Sequence, residues 1–512
     1  MNGAESLLRT AVSAGIDVVF ANPGTTEMPI VAAMDSVGGT RSFLGLFEGV
    51  CTGAADGYAR VAQKPALVLL HLGPGFGNGV ANLHNARRAR SPVLTVVGNN
   101  PTWHLEAGAP LAMDIEGLAR PCSDWVETIA NASSAGAQTA RAIEATLHSP
   151  GQIATLILPL DCAIETAKEG PQTVVKPVVP QVDEARVQSA AAAVRHGERA
   201  LLLLGGPALS EAGLRAAARI QAASGCSVRV ETFGARRECG RHLPDFPPIP
   251  YFPDQGLAAL ADFKHAVLAG AEPPVTFFGY AGIPGRLLPN ACSQWILTSP
   301  HEDVVAALES LANTLSAPQS VPTTPRLKAA APTGLLTADA LGHAVVATTP
   351  EGSIVVNEAL TAWGGYLEAS SGGAPHTLLS VTGGAIGFGL PAAVGAAIAR
   401  PDVRVIAFQA DGSAAYTLQS LWTMARESLD VTVVLCANHA YRILQIELDR
   451  AGAEMGPHAR HMTELTEPKV DWVQLAAGYG VPGERVTTGE ELTVALRRRN
   501  SESGPSLIEA VF

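Results

Sequence analysis

Residues 403–441 constrain this chain more than any other stretch. Val403 to Gln409 is a short apolar run that reads as a buried parallel strand. It delivers Asp411 and Gly412, within Ala410-Asp411-Gly412-Ser413, to the strand's C-terminal end. Leu418, Leu421, Trp422 and Ala425 then recur at helical spacing. Val431 to Leu435 reads as a second buried strand, and Asn438 follows it. Strand, helix and strand make a parallel crossover, so Asp411 and Asn438 fall on one edge of one sheet. Open α/β sheets bind ligands at that edge. A carboxylate, an amide oxygen and nearby loop carbonyls are hard oxygen donors, suited to Mg²⁺ holding a diphosphate. The same pattern also describes an ordinary Rossmann-like crossover with a turn aspartate.

Upstream, the chain repeats the α/β pattern. Asp17 to Phe20 reads as a strand, followed by the turn Asn22-Pro23-Gly24-Thr25-Thr26-Glu27. A strand ending at Phe47 delivers Glu48 to the start of a helix containing 54–60. Pro65 to His71 is another buried strand, followed by a Gly-rich turn over 73–78 and a helix over 80–90. That turn does not fit a dinucleotide fingerprint. Strands follow at 92–98 and 153–159. Pro-, Val- and Gln-rich residues 168–184 and Pro-rich residues 314–334 read as linkers. Between them, a strand and tight turn are expected over 199–206 and another over 265–270, and the last part opens with a helix and the strand Ser353 to Glu358.

Composition removes several function classes. A net charge of −12 disfavours nucleic acid or an anionic membrane as the main partner. No apolar run of about 18 residues lacks a charge or a breaker, so no spanning helix is expected. The N-terminal residues do not resemble a signal peptide. Seven scattered cysteines without a CysXXCys pair read as reduced thiols in a cytoplasm.

The Asp411–Asn438 stretch resembles the thiamine-diphosphate (ThDP) motif, with Ala410 in place of its first Gly and Ala437 in place of its first Asn. The turn 22–27, Phe47-Glu48-Gly49 with 55–59, His71 to Asn78, and Gly383 to Pro391 extend the likeness over nearly the whole chain. Together they look like the acetolactate synthase and benzoylformate decarboxylase branch, similar to the IlvB- or IlvX-like large subunits. The resemblance implies an α/β fold of three Rossmann-like domains with parallel sheets flanked by helices. These would be a pyrimidine-binding domain over 1–167, a central domain over 185–313 and a diphosphate-binding domain over 335–512.

It also implies roles for particular residues. Asp411, Asn438 and the Ala440 carbonyl would hold Mg²⁺. Gly412, Ser413, Tyr441, Glu358 and Gly384 would surround the cofactor, with Ile386 as the apolar wedge that bends it. Glu48 would protonate the aminopyrimidine ring; a helix-start Glu favoured by the macrodipole is the plain reading. His71 would act as acid or base near substrate, or be a hydrogen-bonded structural histidine. Thr25 stands where the decarboxylase places a substrate-contacting hydroxyl. The decarboxylase's second histidine has no clear counterpart near 271–280. Ile443 and Glu447, one helical turn apart, would line the substrate pocket; Glu447 paired at the surface with Arg442 or Arg450 is the alternative. FAD is not expected, because the central stretch is short and carries no specific pattern for it. The implied activity is decarboxylation of a 2-oxo acid, carboligation, or both, on a small 2-oxo acid or aldehyde. A homodimer or homotetramer would share its active sites. The competing class is a non-catalytic ThDP-binding homologue or partner subunit, to which Ala410 and Ala437 lend support.

Overall fold

The computed structural model describes residues 1–322 and 326–512, so residues 323–325 of the linker expected at 314–334 lie outside the described residues. The chain forms two compact units. One comprises Met1–Leu147, Gly151–Lys176 and Lys328–Phe512; the other comprises His148–Pro150 and Pro177–Leu327. The expected α/β class is what forms: parallel sheets flanked by helices, three sheets among the described residues.

In the first unit, one sheet runs β2-β1-β3-β4-β6-β5. Its strands are β1 (Val18–Asn22), β2 (Arg41–Leu44), β3 (Ala66–His71), β4 (Val93–Asn99), β5 (Trp125–Thr128) and β6 (Ile153–Pro159). The second unit contains β7 (Ala200–Leu204), β8 (Ser227–Val230), the short β9 (Arg236–Cys239), β10 (His265–Ala269) and β11 (Ser293–Thr298), with a sheet ordered β11-β10-β7-β8. The first unit's other sheet contains the run β16-β17-β15-β14-β12-β13. These strands are β12 (Ser353–Glu358), β13 (His376–Ser380), β14 (Val405–Ala410), β15 (Val431–Ala437), β16 (Gly483–Val486) and β17 (Ser506–Val511). β14 and β15 are parallel neighbours with Ala410 opposite Cys436, so Asp411 and Asn438 leave the same edge, as the crossover pattern predicts.

The two sheets of the first unit share one core. Phe20, Val68 and Leu70 from one side and Val356, Phe388 and Ala407 from the other belong to it. Burying each Val, Leu or Phe contributes about 1.5–3 kcal/mol. Between the sheets, helix Glu48–Ala62 lies against helix Gly389–Ala399. The contact is backbone to backbone: a Cβ at Gly395 would sit 1.8 Å from the Ala54 carbonyl, and one at Gly57 would sit 2.2 Å from that of Ala392. Arg60, buried at this seam, binds Asp56 through Nε at 2.8 Å and donates to the Ser380 carbonyl at 2.7 Å.

Two expectations are corrected here. The Gly-rich stretch after His71 is not a turn: helix Leu72–Ala89 starts immediately at the strand end. Its glycines serve close approach. A Cβ at Gly75 would lie 3.1 Å from Glu48 Oε1, and one at Gly79 would lie 2.8 Å from Thr52 Cγ2. Pro74 is tolerated because a first-turn residue has no intrahelical N–H partner to lose. The strand before Glu48 also ends earlier than expected, at Leu44.

Candidate active site

Two sheet edges of the first unit carry the sequence-predicted residues. At the first, Glu48 opens its helix and accepts a hydrogen bond from Asn78 Nδ2 at 2.9 Å. His71 ends β3, with Gly75 wedged between its Cβ and the Glu48 carboxylate. The imidazole is held firmly. His71 Nδ1 lies 2.7 Å from Oε2 of Glu27, a residue with no exposed surface. A carboxylate only accepts, so Nδ1 carries the proton and the side chain's other nitrogen is left for chemistry. Glu27 also accepts from the Gly24 amide at 2.8 Å and the Thr26 hydroxyl at 2.6 Å. Thr26 Oγ1 is 3.3 Å from His71 Nδ1. Glycines make the room: a Cβ at Gly24 would be 2.3 Å from His71 Cγ, and one at Gly98 would be 1.7 Å from Glu27 Oε1.

Thr25 is exposed on the turn Thr25–Glu27, while the adjacent Thr26 hydroxyl reaches His71. Sequence reasoning missed Glu27 and Thr26. The available signal was an acidic residue three positions after a Gly, where a helix start would otherwise leave it exposed. Met113 was missed too; its Sδ would lie 2.6 Å from a Cβ at Gly73, beside the start of the His71 helix.

At the second edge, Asp411 is 2% exposed. Its Oδ2 accepts from the His439 amide at 2.7 Å and its Oδ1 from the Gly412 amide at 2.8 Å. Burial nevertheless pushes its carboxyl up to about 6, because two amides do not replace a water shell. Asn438 Oδ1 accepts from the Ala440 amide at 3.0 Å. Ser413 is buried, receiving Gln409 Nε2 at 2.6 Å and donating to the Ala410 carbonyl at 3.1 Å. The Tyr441 ring covers Gly412, where a Cβ would meet Cε1 at 2.6 Å. Burial raises the Tyr441 phenol above its usual range, and Tyr416 and Asp411 add to the shift.

Ala410 has φ −75° and ψ 146°, ordinary extended values, so this backbone does not require Gly there. Ala437 is a fully buried strand residue opposite Val511. With both departures in place, Asp411 and Asn438 still follow the adjacent ends of β14 and β15.

Glu358, also buried, turns its carboxylate inward. Oε1 accepts from the amides of Gly387 and Phe388 at 2.9 and 3.1 Å; Oε2 accepts from the Gly389 amide at 2.8 Å and Gln409 Nε2 at 2.9 Å. Burial pushes this carboxyl up, while the four donors pull it down. Because every partner donates, the ionised form is the one that fits. Glu358 thereby fastens the loop bearing the exposed Gly384, at φ +73°, and the half-buried Ile386. Helix Leu72–Ala89 fastens the same loop from the other side: Asn82 Nδ2 donates to Gly387 O at 3.1 Å and Asn85 Nδ2 to Ala385 O at 2.8 Å. Two asparagines on the inner face of an apolar helix were a legible but overlooked signal.

Ile443 and Glu447 are half-buried on helix Arg442–Arg450, none of whose residues is fully buried. Asp411, Asn438 and the Ala440 carbonyl are a hard oxygen set, and the buried, upward-shifted Asp411 carboxyl is one that a cation would relieve. These residues fit a divalent cation at a diphosphate. Among the described residues no helix is long and apolar enough to cross a membrane.

Comparison with known proteins agrees with this geometry. The family description "Thiamine pyrophosphate enzyme, N-terminal TPP binding domain" matches residues 1–118, and "Thiamine pyrophosphate enzyme, C-terminal TPP binding domain" matches residues 360–510. The chain is 48% identical to "Putative acetolactate synthase large subunit IlvX" of Mycobacterium tuberculosis, covering 100% of this chain and 99% of that one. It is 29% identical to benzoylformate decarboxylase of Pseudomonas aeruginosa, covering 97% and 96%. A solved structure, the thiamine diphosphate-dependent 4-hydroxybenzoylformate decarboxylase of Rhodococcus jostii, superposes with a TM-score of 0.87 at 25% identity, covering 99% and 98%. On its matched domains, its near-half identity along the full length and its three parallel sheets, this chain belongs to the thiamine-diphosphate-dependent enzymes of acetolactate synthase and benzoylformate decarboxylase type.

Proposed function

We propose that this enzyme, with ThDP and Mg²⁺, cleaves the carbon–carbon bond beside the carbonyl of a 2-oxo acid. It then releases an aldehyde, passes the fragment to a second carbonyl, or does both. The observation that carries this reading is His71, held by the buried Glu27 next to Glu48. ThDP supplies the carbon nucleophile and electron sink for such a cleavage.

The protein's part follows from its own residues. Asp411, Asn438 and the Ala440 carbonyl would hold Mg²⁺, and Gly412, Ser413 and Tyr441 would flank the diphosphate. The loop with Gly384 and Ile386, fixed by Glu358, would prop the cofactor's rings. Glu48 would hold a proton at the aminopyrimidine ring. His71, its Nδ1 proton committed to Glu27, would present Nε2 to give or take a proton at the substrate. Thr25, Ile443 and Glu447 would border the substrate. A proton passed from His71 to the substrate would favour aldehyde release.

Glu48 accepts from Asn78 on the helix that follows β3, and Asp411 accepts from the His439 amide just past β15. The site is read, from the family resemblance, as shared between subunits of a homodimer or homotetramer, each chain having domains over 1–167, 185–313 and 335–512. All seven cysteines are free and buried, in keeping with a cytoplasmic enzyme. The test is a panel of 2-oxo acids with ThDP and Mg²⁺, following CO₂ and organic product. Turnover that survives Glu48→Gln at the wild-type rate would overturn the mechanism, and absence of turnover across aliphatic and aromatic 2-oxo acids would overturn the activity.

A further inference from the structure

We infer that the left-handed backbone at His439, and not its imidazole, places the third oxygen of the cation site. This rests on Asp411 and Asn438 being cation ligands. His439 has φ +54°, a region open to Gly and tolerated by Asn, Asp and His, but resisted by most other residues. It lies directly after Asn438, where β15 has ended and the chain must reverse.

Four hydrogen bonds define the turn. The His439 amide points back to Asp411 Oδ2 at 2.7 Å. Its carbonyl points the other way, accepting from the Leu465 amide at 2.7 Å. The Tyr441 amide donates to the Thr463 carbonyl at 2.7 Å, and the Ala440 amide to Asn438 Oδ1 at 3.0 Å. The bonds at His439 and Tyr441 flank Ala440, which stands opposite Glu464 in an antiparallel bridge. In such a pair the central residue's own N–H and C=O face away from the partner strand. The Ala440 carbonyl is therefore left free of that bridge, on the side where its amide meets Asn438. With His439 extended, its amide and carbonyl could not reach Asp411 and Leu465 together, and the register that frees the Ala440 carbonyl would be lost.

The imidazole contributes no bond that could do the same work. Its Nδ1 is 4.0 Å from Asp411 Oδ2, too long for a hydrogen bond, and its buried Nε2 has no hydrogen-bond partner among the described residues.

The experiment separates backbone from side chain. His439→Gly, His439→Asn, His439→Ala and His439→Val all remove the imidazole, but only the first two accept left-handed φ readily. ThDP affinity of the apo-protein at fixed Mg²⁺, and half-saturating Mg²⁺ at saturating ThDP, are measured by titration calorimetry. The Gly and Asn variants should stay within about threefold of wild type, Ala should be roughly tenfold weaker, and Val weaker again. Without ligand, the Leu465 amide should exchange faster in the Ala and Val variants than in the Gly and Asn variants. If Val does not fold, the Gly, Asn and Ala comparison decides. Asp411→Ala is the control. Undiminished binding in that variant would overturn the underlying reading. Lost binding there, with the His439 variants all alike, would overturn this inference alone.

Discussion

Replacing Glu358 by Gln changes one atom and breaks a balance of donors. The carboxylate now receives two N–H groups on each oxygen. A glutamine offers one oxygen and one amino group, so one pair of donors must face a donor. The amide oxygen will settle toward Gly387 and Phe388, whose backbone N–H groups cannot rotate away. Gln409 can adapt: its Oε1 is buried without a partner among the described residues, so flipping its amide lets it accept from the new amino group. The Gly389 amide has no such escape and is left unpaired.

An orphaned buried donor costs about 1–3 kcal/mol, and loss of charge assistance on the two remaining bonds costs about 1 kcal/mol more. Relief of the buried charge offsets part of this, leaving about 2 kcal/mol. The effect is local, and a chain of several sheets has no single two-state unfolding free energy. Hydrogen exchange of the ThDP-free protein over 384–392 is therefore the assay. At about 1.4 kcal/mol per tenfold, amides 387–389 should exchange some 30-fold faster in Glu358→Gln, with distant peptides unchanged. Equal protection in both proteins would refute the claim that this carboxylate fastens the loop.

Glu27→Gln should keep a hydrogen-bonding partner beside the His71 ring but lose the carboxylate that orients it, lowering kcat/KM while ThDP affinity holds; an unchanged kcat/KM removes the Glu27–His71 pair from the mechanism. Glu447→Phe should raise the ratio of kcat/KM for an aromatic over an aliphatic 2-oxo acid, and an unchanged ratio assigns Glu447 to the surface. Gly395→Ala drives a methyl into the Ala54 carbonyl and should lower the urea midpoint at which the first unit loses structure; an unchanged midpoint would mean the two helices separate freely.

Much of this enzyme was legible from local pattern. Apolar runs bounded by turns place β3, β6, β12, β14 and β15, and the crossover rule puts Asp411 and Asn438 on one edge, because handedness and strand parallelism leave few alternatives. Local pattern misjudged the stretch after His71, since four glycines and a proline in eight residues look like a turn until the helices they must approach are known. The same limit hid Glu27. Its place in the sequence is a helix start, where a carboxylate ordinarily meets solvent, and only the packing of β1, β3 and β4 closes Gly98 over it and brings His71 to its oxygen. Glu358 reversed in meaning for the same reason: the apolar run puts a carboxylate at the end of β12, whereas the surrounding backbone amides turn it toward the loop. Strand positions and ligand edge follow from short-range chemistry repeated along the chain. Which polar atoms meet, and whether a charge has a partner, depends on contacts between residues tens to hundreds of positions apart, and only the tertiary structure brings those together.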